Sequence, residues 1–288
     1  MSIPTLHVSD GLATIQLNRP NTLNALTSDD YEFLSETLRK VDKMPDVLVT
    51  IIQASGRAFC SGTDVGARHE DTNPNKSARR KALIFGEHTI EYRLERCVVE
   101  SFQDLGGLAQ RTSHWYRRWW VPWPGLISLL IIPLHYEAML GHFDFIYAMP
   151  QASIAVPFSF IGLTSEQNAS ATFANRMGLP KATEVLLWGR KMSAEELERN
   201  GFVNQIFSAE DTPSFHRLVR EHLLDRLDGL DPAALLSTKR MIQAAVHEKN
   251  DPRVVNFRES FAQAERFAGG VPAHRFGQLA RKEIKHRL

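Results

Sequence analysis

The chain has 288 residues, 43% of them hydrophobic and 23% charged, with a formal net charge of +1. That is globular composition with enough length for a large core, and so small a net charge sets up no strong field toward nucleic acid or membrane. Two cysteines, Cys60 and Cys97, are too few for a disulfide framework. Met1-Ser2-Ile3-Pro4 lacks the basic region and apolar run of a secretory signal. The longest apolar run, Leu126 to Leu134, contains Pro133 and is too short to span a bilayer.

Residues 5–18 alternate loosely, with Leu12, Ile15 and Leu17 apolar, and Asp10-Gly11 predicts a hairpin turn. Asn18-Arg19-Pro20 stops the second strand, because Pro cannot donate to a ladder. Thr27-Ser28-Asp29-Asp30 is an N-cap cluster, and a helix over about 29–43 puts Phe33, Leu34, Thr37, Leu38 and Val41 on one face. A buried strand follows at 47–53, then the stretch Arg57 to Val65. Residues 66–79 are polar and read as a mobile loop, and 81–104 as a long helix. The pattern breaks over 105–140, where Gly106-Gly107 is a breaker and Trp115 to Pro124 holds four of the five tryptophans. Arg interleaved with aromatics can stack on bases or meet lipid headgroups, but a basic run of two residues fits better with an irregular, partly exposed segment without a partner.

Order resumes with strands at 143–148 and 151–156, then a helix from Glu166 to Arg176 behind Thr164-Ser165. Gly178-Leu179-Pro180 ends it, and a further helix covers 181–188. Ser193 and Glu196 form a capping box, and 201–207 is a short strand. The rest is helical, over about 213–228, 231–249 and 252–268, with Gly269-Gly270-Val271-Pro272 leading to a last basic helix. The alternation of strand and helix predicts an α/β layered fold.

The most chemically suggestive stretch is Arg57-Ala58-Phe59-Cys60-Ser61-Gly62-Thr63-Asp64-Val65. A strand ending in small residues and Gly leaves backbone N–H groups free and lets a ligand approach closely. Two such amides aimed at one point form an oxyanion hole. The same residues also suit an ordinary strand-to-helix turn. Cys60 has no activating base in view and reads as a small core residue. The eleven histidines show no metal-ligand spacing, so no metal is expected. No phosphate-cradling Gly-rich loop is present.

Taken with its neighbours, the stretch resembles the crotonase (enoyl-CoA hydratase/isomerase) superfamily. Leu17-Asn18-Arg19-Pro20, Leu23-Asn24-Ala25-Leu26 and Arg57 to Val65 follow that family's N-terminal order and spacing. A second block agrees: Ile161-Gly162-Leu163-Thr164-Ser165-Glu166, Met177-Gly178, Gly189-Arg190-Lys191-Met192-Ser193-Ala194 and Gly201-Phe202-Val203-Asn204. The tail is similar to that of fungal peroxisomal Δ3,Δ2-enoyl-CoA isomerases. The resemblance implies a spiral of ββα repeats over 1–207, atypical at 105–140, and a C-terminal helical oligomerisation region over 208–288 that builds trimers or hexamers.

It also implies an acyl-CoA substrate, with CoA belonging to that substrate rather than serving as a cofactor. The family's CoA contacts fall at Asn24, Ala25 and Leu26 and at Ser61, Gly62, Asp64 and Val65. Thr63 N–H would be one oxyanion donor and Glu166 the acid/base. A carboxylate among apolar neighbours such as Phe158, Leu163 and Phe173 suits proton transfer. A helix N-terminal Glu is also favoured by the helix dipole alone.

One carboxylate suffices to shift a double bond from 3-enoyl-CoA to 2-enoyl-CoA. Hydration generally uses two in this family, and Glu137 is the only acid between Asp104 and Asp144, outside the family's Gly-rich motif. An isomerase of unsaturated fatty acid β-oxidation is therefore the leading expectation. A hydratase of specialised metabolism, or an impaired acyl-CoA-binding member, remains the alternative. The family's Asn-Gly-Pro-like run, source of the second oxyanion amide, is replaced here by Leu129 to Leu134, so that donor is unassigned. His286-Arg287-Leu288 resembles a peroxisomal import signal of the Ser-Lys-Leu type, which implies an import receptor as partner and the peroxisome as location.

Overall fold

The computed structural model describes residues 4–62, 127–132 and 138–285. β1 (Thr5–Ser9) and β2 (Leu12–Leu17) form the expected hairpin, with Thr5 opposite Gln16 and Ser9 opposite Leu12. Asp10 and Gly11 turn it at φ 53° and 74°, the left-handed pair that matches strand twist in a two-residue turn. α1 (Ser28–Val41) is capped by Thr27, whose side chain accepts from the Asp30 amide while the Asp30 carboxylate accepts from the Thr27 amide. It carries the chain back so that β3 (Val49–Ala54) lies parallel to β2.

β4 (Ile127–Ile132) lies parallel between β3 and β5 (Phe145–Ala148), with Val49 opposite Ile127 and Leu129 opposite Phe145. Within the stretch 105–140, where the pattern breaks, the sequence offers no strand at 127–132, and the structure places one there. Ile-Ser-Leu-Leu-Ile-Ile is a six-residue, mostly apolar run of strand length, and a strand inside a parallel sheet commonly lacks polar alternation. The remainder of 63–126, including the expected loop at 66–79, the helix at 81–104 and the Trp/Arg-rich run, lies outside the described residues.

β6 (Ser153–Ile154) pairs antiparallel with β7 (Met192–Ser193), and β8 (Gln205–Ile206) closes the main sheet beside β5. Between them come a single turn, α2 (Phe158–Ile161), then α3 (Ala169–Trp188) and α4 (Ala194–Arg199). α3 is two helices joined at Gly178, where φ 76° and ψ 156° interrupt the helix two residues before Pro180. The carboxy-terminal helices are α5 (Thr212–Leu227), α6 (Pro232–Lys249), α7 (Pro252–Ala268) and α8 (Val271–Ala280). Asp211, Asp231 and Asp251 cap the first three, each just before a Pro in the first turn. Among the described residues no helix is long and apolar enough to cross a membrane.

Period-two alternation divides the core between the faces of the sheet. Ile15, Leu17, Ile52, Ile146 and Ala148 pack with Leu34, Phe173 and Phe202. Leu12, Val49, Ile51, Tyr147 and Met149 pack with Phe215, Val219 and Leu223 of α5. The result is an α/β fold with a mostly parallel sheet. Parallel pairing also places the carboxyl ends of β2, β3, β4 and β5 along one edge, and the first half of the candidate site is built from the loops after β2 and β3.

Candidate active site

Asn24 is the hub of the first half of the site. It is buried, at φ 56°, directly after Leu23 at φ 53°, a left-handed pair for which Asn is better suited than most residues. Its Oδ1 accepts from Arg19 N–H (2.7 Å), and its Nδ2 donates to Ser55 O (2.9 Å) and Ala58 O (2.7 Å). The side chain thus staples the loop after β2 to the loop after β3. Gly56, at φ 80°, lets these loops touch, since a Cβ there would lie 2.6 Å from Pro20 Cβ.

Arg19 extends the staple. Its guanidinium donates to Ala25 O (2.6 Å) and pairs with the buried Asp30, which also accepts from Thr27 N–H and Oγ1–H. The segment 23–26 is thereby held against 61–62. Ser61 N–H donates to Leu23 O (2.9 Å) and Leu26 N–H to Gly62 O (2.8 Å).

The structure therefore brings together five of the residues expected to meet a ligand: Asn24, Ala25, Leu26, Ser61 and Gly62. Ala25 and Leu26 are buried, Ser61 is exposed with its hydroxyl on Thr22 O (3.2 Å), and Gly62 takes φ 105°, a conformation that needs glycine. Both ends of the Asn24 amide are engaged within the chain. Thr63, Asp64 and Val65 lie outside the described residues. Cys60 is fully buried, and desolvation pushes its thiol up to about 12 against the opposing hydrogen bond from Gly62. It is a core thiol rather than a nucleophile.

Glu166 lies in the second half, and not at a helix start as the Thr-Ser-Glu pattern suggests. It sits in the loop between α2 and α3, and α3 begins only at Ala169. Gln167 and Asn168 both adopt left-handed backbone, at φ 58° and 55°, and cannot continue a right-handed helix. Distant partners hold this turn. Asn168 N–H and Ser170 N–H donate to the two carboxylate oxygens of Glu259 on α7 (2.7 and 3.0 Å), so Glu259 serves as the cap that α3 lacks locally. Burial pushes the Glu259 carboxyl up, and the hydrogen bonds from Ser170 and Asn168 oppose that rise. His142 Nε2 lies 2.8 Å from Gln167 O.

The Glu166 side chain is 8% exposed, and its Oε2 accepts from Gln263 Nε2 at 3.1 Å. Local sequence gives no indication of Gln263 or Glu259. A signal does exist in the helical pattern: Asn256, Glu259 and Gln263 are the buried residues of α7, while Val254, Phe257 and Phe261 are exposed. The inward stripe of that helix is polar, the reverse of an ordinary amphipathic helix.

Leu26, Phe59 and Cys60 of the first half and Leu140, Leu163 and Ala169 of the second belong to one continuous core cluster. A separate cleft of about 540 Å³ lies between α3 and the α6–α7 turn, lined by Ser170, Asn175, Lys249 and Arg258 among others and without Glu166. Among the described residues no group of three potential metal ligands occurs.

Comparison with known proteins agrees with this geometry. Residues 12–100 and 138–273 each match a family model described as enoyl-CoA hydratase/isomerase. The chain is 30% identical to a Delta(3,5)-Delta(2,4)-dienoyl-CoA isomerase of Pyricularia oryzae, over 99% of both chains. It is 27% identical to the 3,2-trans-enoyl-CoA isomerase of Saccharomyces cerevisiae, over 95% of this chain and 92% of that protein. In fold it is similar to an enoyl-CoA hydratase/isomerase from Pseudoalteromonas atlantica, with a TM-score of 0.72 over the whole of both chains at 18% identity. The matched segments contain both halves of the site, and the chain belongs to the enoyl-CoA hydratase/isomerase family, the crotonase superfamily.

Proposed function

We propose that this enzyme shifts the double bond of 3-enoyl-CoA to 2-enoyl-CoA, with Glu166 as the single acid/base. Glu166 takes a proton from C2, the electrons of that C–H bond form a dienolate with its charge on the thioester oxygen, and Glu166 returns a proton to C4. The observation that carries this reading is the disposition of the buried carboxylates. Among the described residues these are Asp30, Glu166 and Glu259. Asp30 is ion-paired to Arg19, and Glu259 is bound by two backbone amides. Glu166, at the family's isomerase position, is buried and accepts from a neutral side-chain amide, and a buried carboxylate beside a neutral donor is a suitable acid/base.

Thr63 N–H is the first oxyanion donor in this reading, and the second comes from the chain leaving β4. The support is topological: β3 and β4 are parallel neighbours, so their carboxyl ends lie side by side. One such donor is worth about 3–4 kcal/mol in the barrier. Asn24 to Leu26 and Ser61 to Val65 border the CoA moiety. The exposed Met241, Ile242, Phe257 and Phe261 on α6 and α7 support assembly into homo-oligomers through the carboxy-terminal helices.

The 30% identity to a dienoyl-CoA isomerase favours a second reading, in which the substrate is a 3,5-dienoyl-CoA. Assaying 3-enoyl-CoA isomerisation, 3,5-dienoyl-CoA isomerisation and 2-enoyl-CoA hydration side by side separates these. The expected result is kcat/KM at least tenfold higher for 3-enoyl-CoA than for either alternative. Faster hydration would overturn the isomerase reading, and acyl-CoA binding without turnover would make the chain an impaired family member. The peroxisomal location is part of the same proposal. A fluorescent protein ending in His286-Arg287-Leu288 with its basic lead-in should become punctate in cells, and a diffuse signal would contradict import through that tripeptide.

A further inference from the structure

We propose that Gln263 is a positioning residue that orients the Glu166 carboxylate, making the inward face of α7 part of the active site. The inference rests on the acid/base role proposed above for Glu166. Gln263 is 1% exposed, and its amide is used at both ends. Oε1 accepts from Thr164 N–H (2.9 Å) and Thr164 Oγ1–H (3.1 Å), which fixes the amide so that Nε2 points its donor at Glu166 Oε2 (3.1 Å). An amide so held cannot flip without stranding three partners in a buried site.

The contact spans 97 residues of sequence, so it forms only when α7 is docked. Docking is itself polar. Glu259, one turn before Gln263 on α7, caps α3 through Asn168 and Ser170, and Arg266 Nε, three residues after Gln263, donates to Gly162 O (3.0 Å). The loop carrying Glu166 is thus gripped at 162, 164, 166, 168 and 170 by one helix. The charged or titratable groups facing it among the described residues include Glu259 and Arg266 from α7, Arg275 from α8, which packs at Phe160 and Gly162, and His142, whose Nε2 lies on Gln167 O.

A neutral N–H donor favours the ionised form of the carboxylate it touches. Holding Oε2 also fixes how the carboxylate is turned within its buried loop. Glu166 would then be directed by a residue that never touches the substrate.

Two variants of the full chain test this. Gln263→Glu keeps the acceptor for Thr164 but loses the donor to Glu166, and the two carboxylates share a proton at that distance. Gln263→Leu removes both functions. The expected result for Gln263→Glu is a kcat for 3-enoyl-CoA lowered about tenfold, a KM within about twofold, and an acid limb of the kcat/KM–pH profile moved up by about one pH unit. Gln263→Leu should show the same upward movement.

Wild-type kcat and an unmoved acid limb in Gln263→Glu would overturn the proposal. So would a lowered kcat with an unmoved limb in both variants, since that marks a structural tether alone. If Gln263→Leu fails to fold, Gln263→Glu decides the matter. Glu166→Gln, assayed in parallel, separates the two levels: full turnover there defeats the acid/base assignment itself, whereas an inactive Glu166→Gln beside a wild-type-like Gln263→Glu defeats only the role of Gln263.

Discussion

Glu166→Gln is expected to lower kcat for 3-enoyl-CoA isomerisation by about a thousandfold or more, toward the upper part of the range for losing a positioned acid/base. The substitution replaces a carboxylate oxygen by an amide nitrogen of nearly the same volume. The packing of Leu163, Ala169 and Phe173 is preserved, and acyl-CoA affinity should stay within a few-fold of wild type. The left-handed turn at Gln167 and Asn168 is held by Glu259 and His142, contacts that the substitution leaves in place, so thermal stability should change little. The loss should therefore appear in kcat and kcat/KM together, the mark of an interaction made only in the transition state. Steady-state kinetics beside calorimetric binding of a non-reacting acyl-CoA checks this. Turnover within tenfold of wild type would remove Glu166 from the chemistry.

Asn24→Ala should produce the largest loss of stability, about 3 kcal/mol or more. The change leaves Arg19 N–H, Ser55 O and Ala58 O without their side-chain partner, and a buried group so stranded costs about 1–3 kcal/mol. Ala also tolerates the positive φ at this position less well than Asn does. For a chain of this size the melting temperature should fall by roughly 6 °C or more. The staple holds 23–26 beside 61–62, so activity should fade on warming before the protein melts globally. Calorimetric melting of the variant, with acyl-CoA binding measured well below the melting temperature, tests the assignment. An unchanged melting temperature with strongly weakened binding would show instead that the Asn24 side chain is a direct ligand contact.

The features legible in the sequence are those fixed by local chemistry. The Asp-Gly turn, the N-cap cluster at Thr27 to Asp30 and the Ser193 and Glu196 capping box all lie within a few residues of the structure they dictate. The pairing of 23–26 with 61–62 was accessible only through the resemblance, because its cause is a buried amide reaching more than thirty residues ahead. The helix expected at Glu166 instead starts at Ala169, because Glu259 binds the Asn168 and Ser170 amides and so supports the left-handed turn at 167–168 from a distance. β4 was obscured by its setting: a strand in the middle of a parallel sheet commonly has no alternation to distinguish it from any apolar run, and tryptophan-rich sequence precedes it. Gln263 illustrates the same point, since its partner is 97 residues away and its only local trace is a polar stripe on the inward side of α7.

The central claim is that one carboxylate, Glu166, removes and returns the substrate proton. Its most direct test is mass spectrometry of 3-enoyl-CoA and its product after incubation in D2O with the wild-type enzyme and with Glu166→Gln, both at saturating substrate. In those turnovers in which the Glu166 carboxyl exchanges its proton with solvent before passing one on, wild type should place deuterium at C4 of the product and, by reversal, at C2. Glu166→Gln should place none above the uncatalysed background while still binding the ligand. Deuterium incorporation by Glu166→Gln at the wild-type rate would contradict the account.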